Sequence, residues 1–434
     1  MKIPELLVPA GTFEKMRYAF AYGADAVYAG IPRFSLRARE NDFTMEKVVA
    51  AVEYARKRGK KLYLTMNIFP HNNKIESFKA TLDKVAALQP DGLIMADPGM
   101  ILLAREHHPD LAIHLSTQAN TINWQAARFW HKMGIKRIIL SRELRLDEIA
   151  EIRQHVPEIE LETFVHGAIC IAYSGRCLLS NYFTHRDANQ GTCTNACRWE
   201  YKVYSQPAEL ETERDVLLSS GEQYFLEEKE RPGQLMPIDE DEHGTYIMNA
   251  KDLSTIHILD KIVRTGLDSV KIEGRTKSVY YVSVITRAYR QALNFIARDK
   301  AIPVALTEEV YAVANRGYVT GFLLRNPLEK GQNYQSGHSD NQSRLFCGIV
   351  KEWDESTGMA LIAVRNRFEI GDTLELVSPN KTLPFPVPAF RDLKGNRLTV
   401  AHGGGQDILL PLPEKPEPFA LLRKVVRTEI GISV

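Results

Sequence analysis

From Pro4 to about Gly274, short apolar and β-branched runs alternate with amphipathic segments, the pattern of a parallel sheet covered by helices. The runs Leu6–Pro9, Ala26–Ala29, Leu62–Asn67, Gly92–Ala96, Ile113–Gln118, Arg137–Ser141, Leu161–His166 and Ser269–Glu273 read as strands. Eight such strands predict an α/β fold, a closed (β/α)8 TIM-like barrel. Helices are expected between them at Phe13–Tyr22, Met45–Arg58, Ile75–Leu88, Gly99–His107, Trp124–Met133, Leu146–His155 and Leu253–Thr265, with Ser278–Ala297 closing the ring.

One connection breaks the rhythm. Strand seven ends near His166, yet its helix is not expected before Leu253, so a long insertion follows the strand. Within it, Glu209–Glu242 is acidic, is broken by Pro232 and Gly233, and reads as a flexible flap. Beyond about Pro303 the pattern changes to alternating strands with repeated prolines, an antiparallel β-domain. Its run FEIGDTLELVSP (Phe368–Pro379) is similar to the small β-barrels appended to translation factors. The reading divides the chain into a barrel at 1–300 with an insertion at about 167–250, a linker at 301–343 holding a short helix Glu308–Asn315, and a small β-domain at 344–434.

Composition narrows the class without naming a function. Hydrophobic residues make up 44% of the 434 and charged residues 25%, as in ordinary globular proteins. No run approaches the roughly 18 apolar residues of a membrane span, and the opening MKIPELLVPAG has no apolar signal segment, so a cytoplasmic protein with no membrane partner is expected. Net charge is +1, so any nucleic acid must be held by a local basic patch. The basic run Arg56–Lys61 sits at the end of helix two, on the face opposite the strand ends, where it serves the helix dipole and solubility. P-loop, G-x-S-x-G and H-E-x-x-H signatures are absent.

Four of the five cysteines lie close together: Cys170, Cys177, Cys193 and Cys197, separated by six, fifteen and three residues. Grouped thiolates in a cysteine-poor chain point to one metal centre. The spacing lacks the C-x2-C knuckles of structural zinc, which moves an iron–sulfur cluster ahead of zinc, with disulfides or free thiols as the remaining readings. Four thiolates fill all four corners of a 4Fe-4S cube, which disfavours radical chemistry at an open iron.

In barrels of this type the loops after the strands build the active face. Arg33, Arg37 and Arg39 follow strand two, and the other strand ends add Asn67, His71, Gln118, Asn120, Arg142, Glu143, His166, Lys271, Glu273 and Arg275. Guanidinium groups grip carboxylates and phosphates through paired hydrogen bonds, so this mixture suits an anionic polar ligand bound by Arg37, Asn67, Gln118, Arg142, Lys271 and Arg275. His71, His166, Glu143 and Glu273 are the candidate proton carriers. The histidines are equally suited to supporting hydrogen bonds, and the glutamates to pairing with Arg142 and Arg275.

The segments ETFVHGAICIAYSGRCLLS (Glu162–Ser180) and NQGTCTNACRWEY (Asn189–Tyr201) are similar to the signature of the collagenase-like peptidase family of unknown catalytic type. PELLVPAGTFEKMRYAFAYGADAVYAG, DEHGTYIMNAKDL and SVKIEGRTKS extend the resemblance over essentially the whole chain, with Ser205–Glu230 divergent. The resemblance implies a 4Fe-4S cluster on Cys170, Cys177, Cys193 and Cys197. It implies conversion of the wobble uridine of tRNA to 5-hydroxyuridine, dependent on prephenate and independent of oxygen, with an electron partner still to be identified. Arg37, with Arg142 or Arg275, would clamp the prephenate carboxylates while the cluster handles electrons or braces the site. Two other readings stand beside it: a metal-dependent protease acting on collagen-like chains, and a non-catalytic RNA-binding scaffold with four-cysteine zinc.

Overall fold

The computed structural model describes residues 2–36, 42–170, 172–174, 180, 188, 193, 224–227, 235–241, 244–246, 250–324 and 343–426. Seven parallel strands follow one another around a ring: β1 (Glu5–Ala10), β2 (Ala26–Gly30), β3 (Lys61–Thr65), β4 (Gly92–Met95), β5 (Ile113–Leu115), β6 (Arg137–Ile139) and β7 (Glu160–Ala168). A later strand, β12 (Ser269–Ile272), pairs in parallel with both β7 and β1 and closes the barrel. These are the eight runs the hydrophobic pattern marks as strands.

Helices α1 (Phe13–Ala21), α2 (Met45–Arg56), α3 (Ile75–Ala86), α4 (Pro98–His107), α5 (Trp124–Lys132) and α6 (Leu146–His155) cover the outside. Their starts are written locally. Thr12 accepts from Lys15 N at 3.1 Å, and Asp97 accepts from Met100 N at 3.0 Å ahead of Pro98 in the first turn.

Two expected helices are corrected. Leu253–Thr265 does not form one helix: Asp252–Ser254 is a strand, β11, antiparallel to the end of β7, and the chain then passes through a tight turn into α7 (Leu259–Arg264). β7 runs past the barrel and leaves an edge that β11 satisfies, with the Thr255 N and Oγ1 both donating to Val165 O at 3.1 and 2.9 Å. The linker helix lies at α9 (Val304–Tyr311), ahead of the expected Glu308–Asn315. Pro303 sets its start, and the Asn315 amide donates to Tyr311 O and Val313 O at 3.2 and 2.8 Å, which seals its exit. Within the acidic stretch read as a flap, β8 (Tyr224–Glu227) and β9 (Leu235–Asp241) pair antiparallel, and β10 (Gly244–Tyr246), just beyond it, adds to β9; the rest of that stretch lies outside the described residues.

Residues 344–425 form an eight-stranded antiparallel sheet around a core that includes Phe368, Leu374, Phe390 and Ile408. This domain packs on α1 and on α8 (Val279–Ala297), a nearly all-buried helix capped by Ser278. Tyr22 Oη donates to Val377 O and Phe419 O at 3.0 Å, and Tyr280 stacks on Phe346 with ring centres 5.2 Å apart. Arg287 donates to Ser378 O at 2.7 Å, while Arg423 pairs with Glu309 at 2.9 Å and Glu375 at 2.6 Å. Val377 and Leu421 thereby join the same apolar cluster as the barrel.

The basic run lies at the N-terminal end of β3. Arg56 donates to Leu88 O and Gln89 O, Arg58 covers the Tyr54 ring at 3.6 Å, Lys60 donates to Ala24 O and Lys61 pairs with Glu5. Helix ends and neighbouring loops occupy these cations. Among the described residues no helix is long and apolar enough to cross a membrane.

Candidate functional site

A cavity of about 330 Å³ opens at the C-terminal ends of the barrel strands. The structure gathers Asn67, Gln118, Arg142, Glu143, Lys271, Glu273, Arg275, Cys170 and Cys193 around it. They are delivered by the C-terminal ends of β3, β5, β6 and β12 and by the stretch following β7, which is how this fold builds a site.

Its floor is an ion-pair network. Glu162, fully buried on β7, lies 3.1 Å from Lys271 Nζ and 3.1 Å from Arg137 Nη1, and Arg137 reaches Glu5 at 2.7 Å. Burial lowers the Lys271 pKa against the opposing pull of Glu162. The ammonium also sits 4.3 Å from the centre of the Tyr28 ring, a cation–π contact that keeps charge at the cavity base.

The middle layer is neutral and directional. Asn67 accepts from Leu36 N at 3.1 Å and donates to Gln118 Oε1 at 2.8 Å; Ser116 Oγ donates to the same Oε1 at 3.0 Å. With both bonds on its oxygen, the Gln118 amide can turn only one way, and among the described residues its buried Nε2 has no partner. Arg142 is similar. Its Nη1 donates to Ala168 O, its guanidinium lies 3.9 Å from the Phe164 ring centre, and among the described residues its buried Nε has no partner. Two buried donors on one cavity favour a ligand rich in acceptor oxygens.

Among the described residues no ion pair joins Glu143 to Arg142 or Glu273 to Arg275, the pairing the sequence suggests, and the two glutamates have other contacts. Glu143 accepts from Ser141 Oγ at 2.5 Å and from Ser174 N at 3.4 Å, and Glu273 accepts from Ala168 N at 3.4 Å. Arg275 braces the loop after β2, donating to Ser35 Oγ at 2.6 Å, Thr65 Oγ1 at 3.1 Å and Leu36 O. Gly167, at φ 113°, passes so close to Glu273 that a Cβ would lie 2.7 Å from its carbonyl oxygen; only glycine fits there.

The histidines are placed elsewhere. His71 is exposed at the start of a short turn, Asn72–Lys74, where the chain has already left β3 for α3, and it does not line the cavity. His166 is buried on the outer side of β7 among Tyr281, Tyr289 and Tyr318, with ring centres 5.7, 5.5 and 5.3 Å away. Burial pushes its pKa down to about 3, so it is neutral. A register shift opposite Lys271–Ile272 inserts one residue into β7, so Phe164 faces the cavity and His166 faces the helices.

Arg37, Cys177 and Cys197 lie outside the described residues, as does Arg39. Cys170 and Cys193 are both exposed and line the one cavity, and a set of thiol donors suits an iron–sulfur cluster. Among the described residues no three of His, Cys, Asp and Glu gather as metal ligands. Sequence reasoning missed Tyr28, Phe164 and Ser116, together with Glu162 and Arg137 beneath them. Inward-facing alternation along β2 and β7 is the signal that carries the two aromatics.

The sequence is similar to those of several known proteins. The tRNA hydroxylation protein P of Escherichia coli (strain K12) is 46% identical over 438 residues, covering 97% of this chain and 96% of its own. A Collagenase of Porphyromonas gingivalis is 29% identical, with 98% of each chain covered. A solved U32 peptidase is 17% identical, covering 63% of this chain and 94% of its own, at a TM-score of 0.38. Peptidase family U32 matches residues 11–333 and its C-terminal domain matches residues 342–423. The chain belongs to peptidase family U32.

Proposed function

We propose that this protein is a tRNA-modifying enzyme that hydroxylates the wobble uridine to 5-hydroxyuridine, with prephenate as co-substrate and without oxygen. The observation that carries the reading is the 46% identity to a tRNA hydroxylation protein over nearly the whole of both chains. The cavity supports it. At about 330 Å³ it has the size of a small-molecule site, and Arg142, Lys271 and Arg275 give it cationic character suited to a carboxylate. A tRNA substrate fits a cytoplasmic protein.

In this reading the chain's own residues bind and orient. Gln118 Nε2 and Arg142 Nε take acceptor oxygens of the ligand, and the Lys271 charge lies beneath. Phe164 and Tyr28 form walls that keep water from the donors. Glu143 and Glu273 hold carboxylates at the rim that can accept a proton from a reacting group. Cys170, Cys177, Cys193 and Cys197 would hold the 4Fe-4S cluster, which supplies one-electron chemistry when bound. Arg37 remains a candidate for a second carboxylate.

The test is mass spectrometry of tRNA nucleosides from cells with and without the gene. 5-Hydroxyuridine should vanish on deletion, and its persistence would remove the proposal. Protein purified without air should be brown and contain about four irons and four sulfides per chain. Cys170→Ala should deplete both, whereas Cys347→Ala, at a buried position in the C-terminal domain, should not. Stoichiometric zinc without sulfide would favour the scaffold reading, and cleavage of gelatin by the purified protein would favour the peptidase.

A further inference from the structure

The far edge of the C-terminal sheet carries an unusual arrangement of charge. Phe390–Asp392 and Arg397–Leu398 form its last hairpin, and the register sets Arg391 directly opposite Arg397. Facing residues on an antiparallel pair are about 4.5–5.5 Å apart at Cβ, and like charges there repel. Both arginines are exposed, as is Lys394 in the turn, and among the described residues none of the three pairs with a carboxylate. The acid between them is already used: Asp392 accepts from Lys394 N, Asn396 N and Asn396 Nδ2 at 2.9, 2.8 and 2.9 Å.

These cations line a groove of about 1080 Å³ with Trp353 and Leu393. Leu393 is 60% exposed, and among the described residues the Trp353 Nε1 is without a partner. Glu352 and Asp354 lie on the other wall, but the Asp354 carboxylate is tied to Ser356 and Thr357 hydroxyls at 2.7 Å. An anion between the arginines relieves their repulsion, and two guanidinium forks match phosphate oxygens. An aromatic and an apolar side chain beside such cations suit ribose and base.

We propose that this hairpin is an RNA-backbone clamp: Arg391 and Arg397 grip phosphates of a tRNA, with Lys394 and Trp353 alongside. The proposal rests on the tRNA reading above. In the sheet order the hairpin is at the opposite end from Thr373–Val377 and Leu421–Val425, which pack on the barrel. It therefore holds a part of the RNA other than the nucleotide that is modified.

The experiment is equilibrium binding of an unmodified tRNA transcript to the full-length protein across a salt series. Arg391→Gln with Arg397→Gln should weaken binding at least tenfold and reduce the slope of log Kd against log salt by about 1.5, the loss of two phosphate contacts. The thermal midpoint should hold or rise, because a like-charge pair has gone. Arg391→Lys with Arg397→Lys should keep most of the slope. An unchanged Kd and slope, a wild-type protein that does not bind tRNA, or a falling midpoint would each overturn the clamp. The two readings fail separately. Loss of 5-hydroxyuridine on gene deletion with no binding defect in the variant discards the clamp alone, and a binding defect without any dependence of 5-hydroxyuridine on the gene discards the hydroxylase alone.

Discussion

Two layers of the same barrel treat buried polar groups in opposite ways. In the lower one Glu5, Arg137, Glu162 and Lys271 each face an opposite charge within 3.1 Å. One level up, Gln118 and Arg142 line the cavity, and the buried Gln118 Nε2 and Arg142 Nε have no hydrogen-bond partner among the described residues. Paired buried charges hold one another in place, whereas an unused buried donor costs about 1–3 kcal/mol until a partner arrives. The lower layer is therefore scaffold, and the upper one is preorganised for a ligand.

The largest effect should come from breaking the lower layer. Glu162→Gln leaves two buried cations without their shared carboxylate and should cost about 3–5 kcal/mol in denaturant unfolding. Arg142→Lys probes the upper layer and should spare stability. Prephenate binding by calorimetry should fall roughly ten- to hundredfold, about 1.5–3 kcal/mol, because the charge survives but the planar fork does not. If Arg142→Lys were to destabilise the fold as much as Glu162→Gln, the distinction between the layers would be lost.

A pH series sharpens the contrast with a third environment. His166 titrates near 6.5 when unfolded and near 3 when folded, so the unfolded chain binds the extra proton between those values. Its contribution is complete above pH 6.5 and is lost as the pH falls toward 3, with a slope of at most about 1.4 kcal/mol per pH unit. His166→Phe should flatten this acid limb, measured as the urea midpoint against pH. His114, buried and also held neutral by desolvation, should retain part of it. Least affected should be Arg58→Ala, in the basic run beneath the barrel, which should leave both the unfolding midpoint and tRNA binding where they are.

The barrel was legible because each strand is a short apolar run set off by an amphipathic helix, and the ends of such runs point to one face. That rule alone locates Asn67, Gln118, Arg142 and Lys271. It fails where the partner decides. Leu253 is a strand because the overlong β7 offers it an edge, and nothing in its own neighbourhood says so. His166 shares a strand and a parity with Phe164, yet one inserted residue turns it away from the cavity. The pairing of Glu162 with Arg137 and Lys271 joins residues 25 and 109 positions apart, beyond any local pattern. Arg391 and Arg397 stayed hidden for the same reason, since only the hairpin register reveals that they face each other.

The seam between barrel and C-terminal sheet bears on how the protein can be dissected. Tyr22 spends its hydroxyl on two carbonyls of the other domain, Glu309 holds both Arg287 and Arg423, and Val377 and Leu421 complete a cluster begun on α1 and α8. A cut near residue 342 would strip a carboxylate from a buried arginine and uncover tyrosines and valines together. The halves should then melt as a single transition when joined and precipitate when expressed apart. Work on either activity belongs with the intact polypeptide, in which damage to one half is felt by the other.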